Sequence, residues 1–401
     1  MKNNSNNIIT LFFRVLFKEF KIIFTDEGIL MFVFIVPLFY PLLYSWIYNN
    51  EVVREVPVAV VDMAHSKSSR DFVHDFNASP SVEATYYCNN LEEAKGLVEK
   101  QIVKGILYFP HEYDKNLING KQGIVSIYCD MSLMLTYKSI YLAALNVSLE
   151  QNKKIQKPKS LSFTKHEEDL NTEPIIVKDK SIYNITEGYG NAILPGVLIL
   201  IIQQILMLSI GLSAGTINEH KDKFYLKLKS SMGGIYLLTL TKTIAYFSIF
   251  TVLVSYITIA IPHFFGFTML ATPVPLICLL TPYLLSAIFF AMIISFFVRL
   301  RENVMLIIVF TSVPFLFMSG ANWPLNNIPS FWQGVSWLIP STFGIRGYLT
   351  LASLGGTLED ILPYCRYLWI QTFSYFFIVI IFNLITINKP CLLYTSPSPR
   401  D

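Results

Sequence analysis

The sequence predicts a polytopic α-helical membrane protein with six transmembrane helices and an inserted extracytoplasmic α/β domain. Three observations lead there. The chain is 53% hydrophobic and only 15% charged, outside the composition of a soluble globular domain. Ile193–Ala214 is apolar apart from Gln203, Gln204 and two serines, carries no charge, and is long enough to cross a bilayer as a helix. Residues 49–188, just before it, instead alternate short β-branched and aromatic runs with polar amphipathic ones.

Residues 1–27 predict a cytoplasmic amphipathic helix. Arg14, Lys18 and Lys21 recur on one face and Phe13, Phe17, Phe20 and Phe24 on another, a pattern suited to the membrane interface. The first span follows at 28–48, with Pro37 and Pro41 inside it and Tyr44, Trp46 and Tyr48 at its far end, where aromatics suit head-group depth. Its length and the lack of a small-residue cleavage site set aside a signal peptide.

Residues 49–188 form the inserted domain. VPVAVVD ending at Asp62, EATYY (83–87), KGILYFP (104–110) and IVSIYCD (124–130) read as strands. SSRDFVHDF, LEEAKGLVEKQ and EYDKNLING read as the helices between them, with Asn90 and Glu93 spaced like a capping box. A longer helix is expected over 133–154. Asp62 and Asp130 follow strands, where turn duty is the expectation. The five cysteines show no metal-ligand spacing. Cys88 and Cys129 are expected to be unpaired, although a disulfide between strand ends stays geometrically open.

Residues 189–388 supply the remaining spans: Ile193–Ala214, Leu237–Ile261, Val274–Val298, Val304–Met318 and Leu368–Ile387. Near 319–350, prolines 324, 329 and 340 with tryptophans 323, 332 and 337 predict broken re-entrant helices. Basic residues gather in 1–27, at Lys221, Lys223, Lys227 and Lys229, at Arg299 and Arg301, and at Lys389, whereas 319–365 holds only Arg346, expected to snorkel. The positive-inside rule therefore puts the N-terminus in the cytoplasm and the inserted domain outside. CLLYTSPSPRD (391–401) breaks from everything before it. It reads as the translation of a sequencing-library transposase adapter and is left out of fold reasoning.

Several pieces, in order and spacing, carry a resemblance: FKEFKIIFTDEG before the proline-bearing first span, VPVAVVD, GILYFP and IVSIYCD in the inserted domain, YGNAILPGVLILIIQQ entering span two, and FMSGANWPLNNIP with WLIPSTFGIRG before span six. Over residues 8–388 the chain resembles the ABC-2 type permeases, in the branch with a large extracytoplasmic domain between the first and second spans. The resemblance implies a membrane subunit of an ATP-driven exporter, moving hydrophobic or amphipathic small molecules outward by alternating access. It further implies a separate ABC ATP-binding subunit and a second permease subunit as partners, with a periplasmic adaptor and membrane lipid as further ones. That family's loop after span two usually reads Arg-Glu-x-x-Gly-Thr; here Asn218–Lys223 keeps only Glu219.

The chain holds no Walker A pattern, so ATP hydrolysis is expected on a partner, and no catalytic, cofactor or metal residue and no nucleic-acid role is assigned. Coupling to the ATPase is expected through Glu219, His220, Lys221, Asp222 and Glu19. Gln203 and Gln204, amides at mid-span, are translocation-path candidates, with helix-to-helix bonding as the plainer reading. The alternative function is a non-transporting membrane receptor or anchor that binds through its outer domain. An intramembrane enzyme is disfavoured, because the spans lack acidic pairs, HExxH or a serine–histidine arrangement.

Overall fold

The computed structural model describes residues 2–49, 53–156, 188–220, 223–298 and 300–387. Two units make up the chain: Val52–Lys180, and Met1–Glu51 with Ser181–Asp401. Helix α1 (Lys2–Thr25) precedes α2 (Glu27–Ile47), the first of six helices among the described residues that are long and apolar enough to cross a membrane.

The inserted unit is a four-stranded sheet of β1 (Val56–Asp62), β2 (Val82–Cys88), β3 (Gly105–Phe109) and β4 (Ser126–Cys129), in the order β2-β1-β3-β4. β1 runs parallel to β2 and β3, and β4 closes antiparallel on β3. A near-continuous apolar run suits the inner strand of such a sheet, because helices cover both of its faces. Val56, Val58 and Val60 pack with Phe72 and Phe76 of α3 (Lys67–Asn77) and Ile140 of the long helix Met134–Gln156. Ala59 and Val61 pack on the other side with Ala94 of α4 (Leu91–Glu99). With α5 (Tyr113–Ile118) in between, the long helix is α6. Ser66 and Ser69 close a reciprocal capping box at the start of α3. At α4, Asn90 accepts from the Glu93 N–H at 2.7 Å, and the Glu93 carboxylate reaches back to Asn89 rather than Asn90.

Asp62 does turn duty, accepting the Ala64 and His65 N–H groups at 3.0 Å each and the Ser69 hydroxyl at 2.7 Å. Asp130 likewise accepts the Ser132 N–H at 2.9 Å. Cys88 and Cys129 occupy opposite edge strands, both as free thiols. Three strand spacings of about 4.8 Å separate those edges, and a disulfide needs Cα atoms within about 7 Å. Burial pushes the Cys129 thiol up to about 11, further from the reactive thiolate. Electrophoretic mobility should therefore be the same with and without reductant, and Cys129→Ser should not change it; a reductant-dependent shift lost in that variant would contradict the strand order.

The second unit continues through α7 (Tyr189–His220), α8 (Lys223–Lys229), α9 (Met232–Phe265), α10 (Pro273–Ser295) and α11 (Arg301–Met318). After α11 come a 3-10 turn at Leu325–Asn327, then α12 (Ser330–Ser336), α13 (Pro340–Ala352) and α14 (Leu358–Ile387). The apolar window of α7 is 78% buried and that of α11 only 6%, so α7 is the central helix and α11 a peripheral one. α7 overruns its apolar stretch to His220, and α14 starts at Leu358, ahead of its apolar stretch. Polar helix ends add backbone bonds at little cost once the apolar part is anchored.

Between α11 and α14 the chain is thus divided into short pieces, of which α13 is buried along most of its length. Its first N–H groups have no partner within the helix. Gln203 supplies one, its amide oxygen accepting from the Ser341 N–H at 2.6 Å. The Arg346 Nε donates to the Ser319 carbonyl at 2.9 Å, tying α13 to the end of α11, because a main-chain acceptor left over at a helix terminus lies within its reach. α13 approaches α10 closely through Gly344 and Gly347. A Cβ at Gly344 would stand 2.5 Å from the Tyr283 ring, whose hydroxyl donates to the Ile199 carbonyl at 2.6 Å. Gly344→Ala should cost about 1–3 kcal/mol through overpacking, read as a lower thermal midpoint in detergent, whereas Gly334→Ala, with open space around it, should be silent.

Candidate functional site

The α1 end of the helical unit holds its charged contacts. α1 has an outer stripe of Phe13, Phe17 and Phe24, each more than half exposed, and an inner stripe of Val15, Glu19 and Ile23, each at 0–1%. Those spacings of four and seven residues put each set on one side of a helix. Phe20, expected with the outer phenylalanines, is partly buried against the core. Glu19 thus sits in the buried stripe, where its Oε1 accepts the Tyr225 hydroxyl at 2.9 Å. One residue earlier, the Lys18 ammonium lies 4.3 Å and 4.7 Å from the Phe224 and Tyr225 ring centres, a cation–π contact that fastens α8 to α1.

Asp26, between α1 and α2, caps the first span. Its Oδ1 accepts from the Gly28 and Ile29 N–H groups at 3.1 and 3.3 Å, as an N-cap carboxylate does. The same oxygen receives the Arg301 guanidinium at 2.6 Å, and Oδ2 receives the Thr216 hydroxyl at 3.0 Å. Arg301 is the first residue of α11, and its own N–H donates to Glu219 Oε1 at 2.9 Å. Two carboxylates, from α7 and from the α1–α2 junction, therefore hold Arg301 by its main chain and its side chain. Two glycines make the notch it fills: a Cβ at Gly28 would meet the guanidinium at 2.6 Å, and one at Gly215 would meet the Arg301 Cα at 3.1 Å. Burial pushes the Asp26 carboxyl up, but bonds from Arg301, Ile29 and Thr216 outweigh it and hold the group below its ordinary value.

Of the expected coupling residues, Glu219 joins this junction and Glu19 lies in a separate buried contact with α8. His220 is exposed, its Nδ1 3.0 Å from the Thr216 carbonyl. Lys221 and Asp222 lie outside the described residues. Asp26, Thr216 and Arg301 escaped the sequence reading. Asp26 did carry a signal, as a capping residue two positions before Gly28, but Arg301 registered only as a positive-inside charge. Gln203 is bonded to α13, while its Nε2 and both polar atoms of Gln204 are buried without a partner among the described residues. Among the described residues there is also no group of three or more His, Cys, Asp or Glu side chains able to hold a metal.

The Asp26 side chain is 11% exposed and that of Arg301 32%. Arg301→Ala should cost about 3 kcal/mol, the low end for breaking a buried pair from one side, given the partly exposed guanidinium. Arg301→Lys should recover part of that, keeping charge without the fork. Because the Asp26 carboxyl is depressed, its contribution is complete above its unfolded value and is lost as pH falls through the folded one. Thermal melts on acidification should thus lose more stability in the wild type than in Asp26→Asn.

A family model described as ABC-2 family transporter protein matches residues 28–381. No curated protein matches the chain. The match takes in α2, the inserted unit and the later spans up to most of α14. The chain belongs to the ABC-2 transporter family and is a multi-pass membrane subunit of an ABC transporter.

Proposed function

We propose that the protein is the permease of an exporter that moves hydrophobic or amphipathic small molecules outward through the bacterial inner membrane, driven by a separate ATP-binding subunit. The observation that carries this reading is the Asp26–Arg301–Glu219 junction. A partner pressing on α1 or on the loop after α7 acts on α2, α7 and α11 together, since one arginine links all three. Glu219 and the Asp26 cap then pass motion between spans instead of docking the partner by themselves. Exposed basic side chains beside the junction, such as Lys223 and Lys227, support a cytoplasmic location for this end. The buried amides of Gln203 and Gln204, with the unpartnered hydroxyls of Ser341 and Thr342, support a polar seam that opens to substrate during alternating access. The scant burial of α11, with Leu306, Val309, Phe310 and Val313 exposed, supports a second permease subunit beside it.

Cysteines placed at Lys121 and Lys227, in a background without native cysteines, should label from outside and from inside respectively with an impermeant maleimide. Equal outside labelling would overturn the topology. For coupling, Glu219→Ala should leave the protein inserted yet lower substrate-stimulated ATP hydrolysis by the partner severalfold. Lys227→Ala, at an exposed site, should be close to silent, and identical behaviour of the two variants would remove Glu219 from the coupling path.

A further inference from the structure

A cavity of about 220 Å³ lies at the α1 end, between α1, α7, α8, α9, α10 and α14. Its walls carry Glu19, Lys229 and Lys242 among otherwise neutral side chains. Glu19 is 1% exposed. Tyr225 occupies its Oε1, while its Oε2 is buried with no hydrogen-bond partner among the described residues. Lys242 donates to the Ser213 hydroxyl at a long 3.3 Å. Burial, with the like charge of Lys242 beside it, pushes the Lys229 ammonium below its ordinary value, although Glu19 opposes this. One carboxylate thus shares with two ammonium groups a chamber cut into apolar helices. Buried charges of this kind call for partners.

An anion alone would answer the lysines and leave Glu19 Oε2 without a donor. A cation alone would do the reverse. A zwitterion whose ammonium sits beside its phosphate meets both needs. The volume falls under the roughly 300–1,000 Å³ of a pocket for a whole drug-sized ligand, which fits a head group instead. Position agrees. The Phe13, Phe17 and Phe24 stripe on the outer side of α1 is of the kind that lies at the boundary between head groups and acyl chains. Glu19 projects from the opposite side of that helix, at the same depth.

The geometry points to a binding site for a phosphoethanolamine group, with its ammonium donating to Glu19 Oε2 and its phosphate held between Lys229 and Lys242. Two sources carry that chemistry: phosphatidylethanolamine of the surrounding bilayer, and free O-phosphoethanolamine. A quaternary head group such as choline has no N–H to give Glu19, and a glycerol head group brings no ammonium.

The test uses the full chain purified in detergent and titrated calorimetrically with dihexanoyl phosphatidylethanolamine, phosphatidylcholine and phosphatidylglycerol. The ethanolamine lipid should bind saturably and about tenfold tighter than the other two, the scale of one charge-assisted hydrogen bond. Glu19→Gln should bring it down to the choline lipid, and Lys242→Met should weaken all three lipids together. Competition by O-phosphoethanolamine would assign the site to the free zwitterion, and saturable lipid binding without competition would assign it to the bilayer. Absence of saturable binding, a glycerol lipid equal to or tighter than the ethanolamine lipid, or an unchanged ethanolamine-to-choline ratio in Glu19→Gln would each overturn the proposal. The wild-type ranking decides the matter even where a variant fails to fold.

Discussion

The salt bridge between Asp26 and Arg301 is the contact on which the α1 end of the membrane unit depends. A helix that enters a bilayer brings N–H groups in its first turn that no residue of the same helix can accept. α2 and α11 both begin here, and each takes its acceptor from elsewhere: α2 from Asp26 before it, α11 from Glu219 at the end of α7. Arg301 then turns two separate caps into one assembly by placing its side chain on the first and its main chain on the second. The ends of three spans are thereby joined through main-chain hydrogen-bond requirements, beside the apolar packing of Ile29 and Val304.

The two units meet their polar needs differently. In the inserted unit, Asp62, Ser66 and Asn90 close turns and caps within a few residues of themselves. In the membrane unit Asp26 and Ser231 cap helices just as locally, but the bonds that join one span to another are remote in sequence, as with Gln203 and Ser341 or Tyr283 and Ile199. Local partners fold with the segment that needs them. Remote ones form only when whole spans have packed.

This division also explains what the sequence made legible. Hydropathy reveals which segments are long and apolar enough to span, and the alternation of apolar runs reveals β1 to β4, because both are local signals. Sheet order is not local, which is why a Cys88–Cys129 bond stayed open until β1 and β3 were seen to lie between the two edges. α7 is the more apolar of the two, but that α7 lies at the centre and α11 at the rim is a matter of packing. Glu219 stood out as an acid in a basic loop, yet its partner follows 82 residues later. The bond from Arg346 to the carbonyl at the end of α11 spans 27 residues and had no local signal either.

Two spans contain a wide turn, at Met31–Ile35 in α2 and at Tyr256–Ala260 in α9. The second takes part in contacts between helices: Tyr256 donates to the Leu38 carbonyl of α2 at 3.2 Å, and the Thr258 carbonyl accepts from Tyr348 at 3.1 Å. Each such turn holds one residue more than an ordinary helical turn, and one residue corresponds to about 100° of rotation about the axis. The far halves of these helices are therefore out of phase with their near halves. Trp46 and Phe264 face the directions they do because of a surplus in the main chain, not because of a substitution anywhere along it. In these two spans it is the count of residues, more than their kind, that determines which neighbour a side chain meets.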